Sequence, residues 1–393
     1  DFNNYSITVA NSPVTIDCKV VTLSGTLAAS KTYDGNTTAS VLTTGVTPNV
    51  VYGSDDVTVS AIAGTYDSVN VSNSRVVSIS SVTLTGTSAH NYVWDTNSAQ
   101  TAVGTILQLP SVTYVGAAGG NWSNPNNWAV TGNLSQTGVL PNLGNVALAI
   151  IPSGTSVVAD SASGYTGKIN LAGTLRAASD SYLGAVPSTV TADWMTVDGG
   201  VLNATDSFTM PTNRGITLTS NGATFQIDAT KSVNYEGVLA GTGGLTKSGN
   251  GSLVIAGDNS YTTTAVNAGT LQIGNGGTTG TLGTGAVTVA GTLAFNRSDA
   301  VTVSNAVSNV LSSSRALSKL GSNTLTLTGA QTYTGATDIA AGSLVFQNDV
   351  APTTSGFTGA GAVAIEPSST SFTAASFTST YTFASGISGF TLG

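Results

Sequence analysis

Residues 245–261 read LTKSGNGSLVIAGDNSY, and residues 317–333 read LSKLGSNTLTLTGAQTY. Leu245, Lys247, Gly249, Leu253, Gly257 and Tyr261 return 72 positions later as Leu317, Lys319, Gly321, Leu325, Gly329 and Tyr333. A second echo follows each copy, NAGTLQIG at 267–274 and AAGSLVFQ at 340–347, displaced by 73 through one inserted residue. Short apolar strands punctuated by glycine at a fixed period mark a solenoid, where each unit buries its apolar side only against its neighbours.

Glycine-led strand starts extend this pattern on both sides. Gly173, Gly200, Gly222, Gly244, Gly269 and Gly291 follow one another at 27, 22, 22, 25 and 22 residues, a spacing that predicts one coil of a parallel β-helix per interval. Apolar residues alternate within the coils: Leu253 and Ile255; Val287, Val289, Leu293 and Phe295; Leu325 and Leu327; Leu344 and Phe346. Alternation sends these side chains into the lumen and the intervening Thr, Ser and Asn into water. Glycine suits the corners, where φ > 0 or close backbone approach is needed. About 270 residues at this period give roughly twelve coils, ~55–60 Å at ~4.8 Å per strand.

The copies are similar to the autotransporter-associated β-strand repeat, over 242–277 and 315–349. That resemblance implies a right-handed parallel β-helix in the passenger of a type V-secreted exoprotein. After residue 350 the pattern loosens and no third clear copy follows.

The N-terminal quarter reads differently. Residues 18–109 show strand-like alternation at Val57, Val59 and Ile62 and again at Val77, Ile79, Val82 and Leu84, broken by turn signals at Asp34-Gly35, Tyr52-Gly53 and Ala63-Gly64. Several short strands at such spacing predict a small antiparallel β-domain of sandwich type. KTYDGNTTAS at 31–40, GSDDVTVS at 53–60 and LTGTSAHNY at 84–92 resemble the YDG repeat of large secreted bacterial haemagglutinin-like proteins. The chain departs from that pattern at Ser72 and His90, where the family commonly has glycine. Asn4-Tyr5 is echoed by Asn91-Tyr92, so residues 1–17 read as the tail of a preceding module of the same type. Residues 110–119 read as a linker and 120–393 as the β-helix. Trp122 and Trp128, around an Asn-rich stretch with Pro125, are expected to close the exposed end of the stack. A chain opening on Asp1, with no initiator methionine, reads as an excised piece of something longer.

Composition narrows the function classes. Only 8% of the 393 residues are charged, against about a quarter in ordinary soluble domains. With 11 Lys plus Arg, no basic cluster and a net charge of −8, the chain lacks the footprint for nucleic acid or an anionic membrane surface. No apolar run reaches the ~20 residues of a spanning helix, and the first residues do not read as a signal peptide. One cysteine, Cys18, rules out an internal disulfide and fits a large exported bacterial protein; it is expected as a strand-buried thiol.

A search for chemistry returns little. His90 is the sole histidine, which excludes HExxH and multi-His metal sites; it reads as a loop residue, and nothing in the spacing joins it to Cys18. Carboxylate pairs for glycoside hydrolysis need ~5–9.5 Å separation. Asp206 and Asp228 have one-coil spacing and Asp193 and Asp198 lie close in sequence, but both read as solvated aspartates. Asp55-Asp56 has no calcium-loop spacing, and GNGGTTGTLGTG at 274–285 has no following lysine and opens no helix, so it reads as a corner rather than a phosphate loop. N-x-S/T sequons begin at Asn4, Asn36, Asn70, Asn121, Asn133, Asn203, Asn250 and Asn296.

The expected molecule is a segment of a secreted bacterial surface adhesin or matrix fibre, mediating cell-surface or biofilm adhesion by multivalent contacts. It carries no catalytic, cofactor or metal residues. Its partners are glycans or identical rods, with an outer-membrane transporter during export; autotransporter and two-partner routes both remain open. The rival readings are a polysaccharide-binding or polysaccharide-degrading β-helix enzyme and a passive spacer stalk.

Overall fold

The computed structural model describes residues 17–309, 315–348, 353–366 and 390–392; most of the expected module tail at 1–17 lies outside them. Helix among these residues is limited to three short 3-10 turns, Ala89–Asn91, Pro125–Asn127 and Asp180–Leu183. The chain divides into two compact units, Asp1–Gln108 and Leu109–Gly393.

In the first unit the strands Ala28–Thr32, Thr38–Val41, Thr58–Tyr66, Ser72–Thr85 and Thr101–Leu107 form a closed barrel. The sequence predicts a sandwich instead. The difference arises because the first and last strands pair, in parallel, from Ala28↔Val103 to Thr32↔Leu107, which rolls one sheet shut rather than stacking two. Closure removes both edges. The 14-residue strand Ser72–Thr85 serves two antiparallel partners and breaks register against each, which bends it around the barrel. A five-stranded lumen is narrow, and glycine makes room: a Cβ on Gly104 would stand 2.4 Å from the Tyr66 ring.

Among the described residues the second unit is a parallel β-solenoid of about 10 turns; the roughly twelve expected were counted over 120–393, part of which lies outside those residues. Its first face stacks Leu109–Tyr114, Val146–Ile151, Lys168–Leu171, Thr191–Val197, Arg214–Leu218 and Leu239–Gly241. A nine-stranded second face runs from Gly120–Asn121 to Val307–Asn309, and an eight-stranded third face from Phe208–Met210 to Phe357–Gly359. Beyond Leu239–Gly241 the first face continues as loops. The Ser260 amide donates to Leu239 O at 2.9 Å and the Thr281 amide to Gly257 O at 3.2 Å, and Asn305 Nδ2 donates to Gly283 O at 2.8 Å. Val301–Val303 then opens a five-stranded sheet.

No linker separates the chain at 110–119 as expected. Leu109–Tyr114 is already a solenoid strand, paired in parallel with Val146–Ile151. Leu109, Val112 and Tyr114 point inward and Pro110 is exposed, where its missing N–H and rigid ring do no harm. Trp122 and Trp128 are both buried and stack edge-on at 4.6 Å. The strand Trp128–Val130 pairs antiparallel with Leu109–Tyr114 and with Asn133–Thr137, so a hairpin covers the first edge of the stack.

Lumen alternation holds as predicted: Leu325 and Leu327 are fully buried, while Thr324 and Thr326 are partly exposed. The spaced glycines serve two needs. Gly269 adopts φ 63°, whereas at Gly200 a Cβ would approach Leu171 O to 2.4 Å. Buried tyrosines tie corners to the strands that follow. Tyr114 Oη donates to Ala117 O at 2.7 Å, Tyr165 Oη to Lys168 O at 2.8 Å and Tyr235 Oη to Val238 O at 3.0 Å.

Candidate functional site

The carboxylates with catalytic spacing are each engaged elsewhere. Asp206 accepts from Lys231 Nζ at 2.8 Å and Asp228 from Asn203 Nδ2 at 3.0 Å. Asp193 pairs with Lys168 at 2.6 Å. Asp198 accepts from Thr219 Oγ1 at 2.5 Å and Asn221 Nδ2 at 2.7 Å. Hydrogen bonds from Lys168, Thr219 and Lys231 hold Asp193, Asp198 and Asp206 respectively below the usual carboxylate range. A carboxyl kept ionised in this way is a poor proton donor to a leaving group.

Cys18 is exposed, not buried in a strand. It sits just before the strand Lys19–Val21, whose outward position brings Sγ within 3.5 Å of the His90 carbonyl oxygen. With Tyr52, Asp55 and Tyr92 these two residues line a cavity of about 300 Å³. The fold thus brings together the sole thiol and the sole histidine, which their spacing does not reveal, but the contact is to the His90 backbone. Asp55 accepts from Tyr92 Oη at 2.7 Å, and Asp56 accepts from the Thr87 amide at 3.1 Å. Both fasten turns, and among the described residues no three His, Cys, Asp or Glu side chains gather as metal ligands.

The glycine-rich loop at 274–285 has the wrong polarity for phosphate. Its carbonyls face a cation: Arg297 Nη1 donates to Gly280 O at 2.8 Å, Nη2 donates to Thr278 O, and Asp299 completes the cluster at 2.7 Å. Of the sequons, Asn203 is buried and bonded across coils, whereas Asn36, Asn121, Asn133 and Asn250 are exposed. The YDG turn wraps a cation as well. Lys31 Nζ donates to Asp34 Oδ1 at 2.7 Å and to Asn36 O at 2.7 Å, with Gly35 at φ 77°.

Sequence reasoning misses the most unusual polar groups. Lys247 and Lys319, equivalent in the two copies, are 0% and 1% exposed. Lys247 Nζ donates to Ser248 O and Gly249 O at 2.8 Å each and to Ala268 O, on the next coil, at 3.2 Å. Lys319 Nζ donates to Gly321 O and, on the next coil, to Ala341 O at 3.4 Å. Burial pushes the Lys247 amine down to about 8 and lowers Lys319 also. Asn259 and Gln331, equivalent too, span coils through their amides. The signal was present: Lys247 has the parity of Leu245.

The two copies do not share faces. Leu245–Ser248 and Ser252–Ile255 lie in the second and third faces, but Arg315–Lys319 lies in the third and Thr324–Leu327 in the five-stranded sheet. Successive copies are rotated by one face. What does persist along a single face is an outward row on the second, where Ser156, Thr174, Val201, Thr224, Thr246, Ala265, Thr288 and Ser308 stand in register.

Residues 17–102 match the YDG domain family, and residues 245–273 and 317–346 match the passenger-associated-transport-repeat family. No curated protein and no solved structure matches the chain. No helix is long and apolar enough to cross a membrane among the described residues.

Proposed function

We propose that this type V-secreted exoprotein, with its YDG domain and passenger-associated transport repeats, works as the stalk of a surface adhesin or matrix fibre. Its solenoid passes an outer-membrane transporter and ends at the cell exterior. There it acts without catalysis, through many weak contacts to glycans or to identical rods. The observation that carries this reading is the outward row on the second face: eight coils present small neutral side chains in register, and a cavity of about 250 Å³ on that face is lined by Thr224, Thr246 and Ala265 of the row itself. Contacts to such a row are individually weak and sum by avidity. The engaged aspartates support a non-catalytic role.

Deleting residues 223–244 removes one coil, because Ala223 and Leu245 are register partners. A series of such deletions should lower affinity for immobilised neutral glycans, or for a second solenoid, by a similar factor per coil. Salt should matter little, since few charges are present to screen. Release of reducing ends from any glycan would instead mark an enzyme. Unchanged, absent binding across the series would mark a spacer.

A further inference from the structure

We infer that the second face carries one discrete sugar subsite, a notch that takes a single ring of a neutral glycan. The inference rests on the reading of that face as a glycan contact surface and says where along it recognition is strongest. The notch is the cavity of about 250 Å³ where the corners at Gly199, Gly222 and Gly244 meet the strands Ala223–Ile227 and Leu245–Ser248. These corners stack through their backbones. The Gly199 amide donates to Gly222 O at 2.8 Å, and the Ala223 amide to Gly244 O at 2.9 Å. Three stacked glycines leave a floor of bare peptide. Gly222 holds φ at 74°, and a Cβ on Gly244 would stand 2.4 Å from Thr263 Oγ1. The volume falls just under the range of about 300–1,000 Å³ that holds drug-sized ligands. That is room for one pyranose and not for an oligosaccharide.

Unspent polar groups set this notch apart from the rest of the corners. Ser220 and Asn221 line it from the corner side, Thr224 and Thr246 from the strands, and Thr263 from the next coil. Corner hydroxyls elsewhere are used across coils: Thr262 Oγ1 donates to Thr242 O and Thr284 Oγ1 to Tyr261 O, each at 3.3 Å. The hydroxyls of Ser220, Thr224, Thr246 and Thr263 have no hydrogen-bond partner among the described residues. Each is donor and acceptor at once, which matches the hydroxyls of a sugar. Asn221 adds an oriented amide. Its Nδ2 donates to Asp198 Oδ1 at 2.7 Å, which fixes the side chain and leaves its own Oδ1 to accept. Thr219 Oγ1 donates to the same Asp198 oxygen at 2.5 Å, so the anchor is itself held. No Lys or Arg lines the cavity, and Asp198 beside it stays ionised, which disfavours carboxylated or phosphorylated ligands. No aromatic ring lines it either. Without stacking, the affinity for one ring is millimolar.

Neutral methyl pyranosides (gluco, galacto, manno and N-acetylglucosamine forms), titrated into the full chain and followed by saturation-transfer NMR, test the subsite. Thr246→Gln puts a longer neutral side chain over the notch from a half-buried outward position. Thr288→Gln makes the same change two coils along the row, past Ala265 and outside the cavity. Thr246→Gln should weaken the preferred pyranoside about tenfold, and Thr288→Gln less than about twofold. Equal effects of the two substitutions, large or absent, overturn the subsite and leave the graded row standing. Should Thr246→Gln fail to fold, Asn221→Ala at an exposed corner decides: it should weaken the same ligand about threefold, and an unchanged affinity overturns the subsite. No saturation transfer to any pyranoside at about 50 mM overturns it too, while attachment to a second solenoid would still carry the proposed function.

Discussion

The barrel and the solenoid solve one problem in opposite ways. Both are sheets with edges to hide. The barrel hides them by joining Ala28–Thr32 to Thr101–Leu107, so every strand is needed for closure. The solenoid hides an edge only at its two ends, and each coil answers to its immediate neighbours. A barrel should therefore melt as one unit and a solenoid by segments. The difference also explains where polar residues go. The barrel keeps its cations partly exposed: Lys31 reaches from its strand into the Asp34–Asn36 turn, and Arg75 Nε donates to Asn70 O at 2.8 Å. The solenoid buries Lys247, Lys319 and Arg214, because stacked corners offer carbonyls from several coils at once.

The sharpest break comes from a charge in the lumen. Leu325→Asp should cost more than about 4 kcal/mol and open the coils around it, while Thr326→Asp on the wet side should stay within about 1 kcal/mol. Hydrogen exchange should show the loss spreading along the solenoid and leaving Tyr66 and Val77 of the barrel protected. Equal melting temperatures would place 325 and 326 in the wrong register.

Next is Arg214, fully buried, 2.8 Å from Asp180 and 4.3 Å over the Trp194 ring. Arg214→Ala strands Asp180 and should cost about 3–5 kcal/mol, read by denaturant titration. Gly104→Ala tests the barrel. Its Cβ would press on Tyr66, costing about 1–3 kcal/mol, and the whole barrel should lose exchange protection together; a loss confined to one strand would refute the cooperative half of the comparison.

A smaller effect follows from pH. Burial lowers Lys247 to about 8 from 10.5, so between those values the unfolded chain holds more protons than the folded one. Solenoid stability should accordingly rise through that window, by the order of 1 kcal/mol, and Lys247→Met should flatten the rise. The smallest effect is at the exposed Lys168–Asp193 pair, both side chains about half exposed. Asp193→Asn should change stability by less than about 1 kcal/mol.

The barrel's strands were legible from alternation at Val57, Ile62 and Val77, but its closure was not, because pairing of Ala28 with Val103 joins residues 75 apart that no local pattern links. Residues 110–119 read as a linker, whereas Pro110 occupies an exposed strand position that needs no N–H. Cys18 read as buried because free thiols usually are; its place ahead of Lys19–Val21 leaves it in water. Asp193, Asp198 and Asp206 are exposed but Asp228 is half-buried, and the partners that hold all four were out of reach of spacing alone.

By itself the sequence determined the all-β solenoid, its lumen residues and its repeat, since strand parity and glycine corners are local properties of the chain. Tertiary structure decided the rest: barrel over sandwich, the rotation of the second repeat copy by one face, and the burial of Lys247 and Lys319. Each depends on how many residues separate contacts between coils or strands, and chain separation sets geometry only once the coils are stacked.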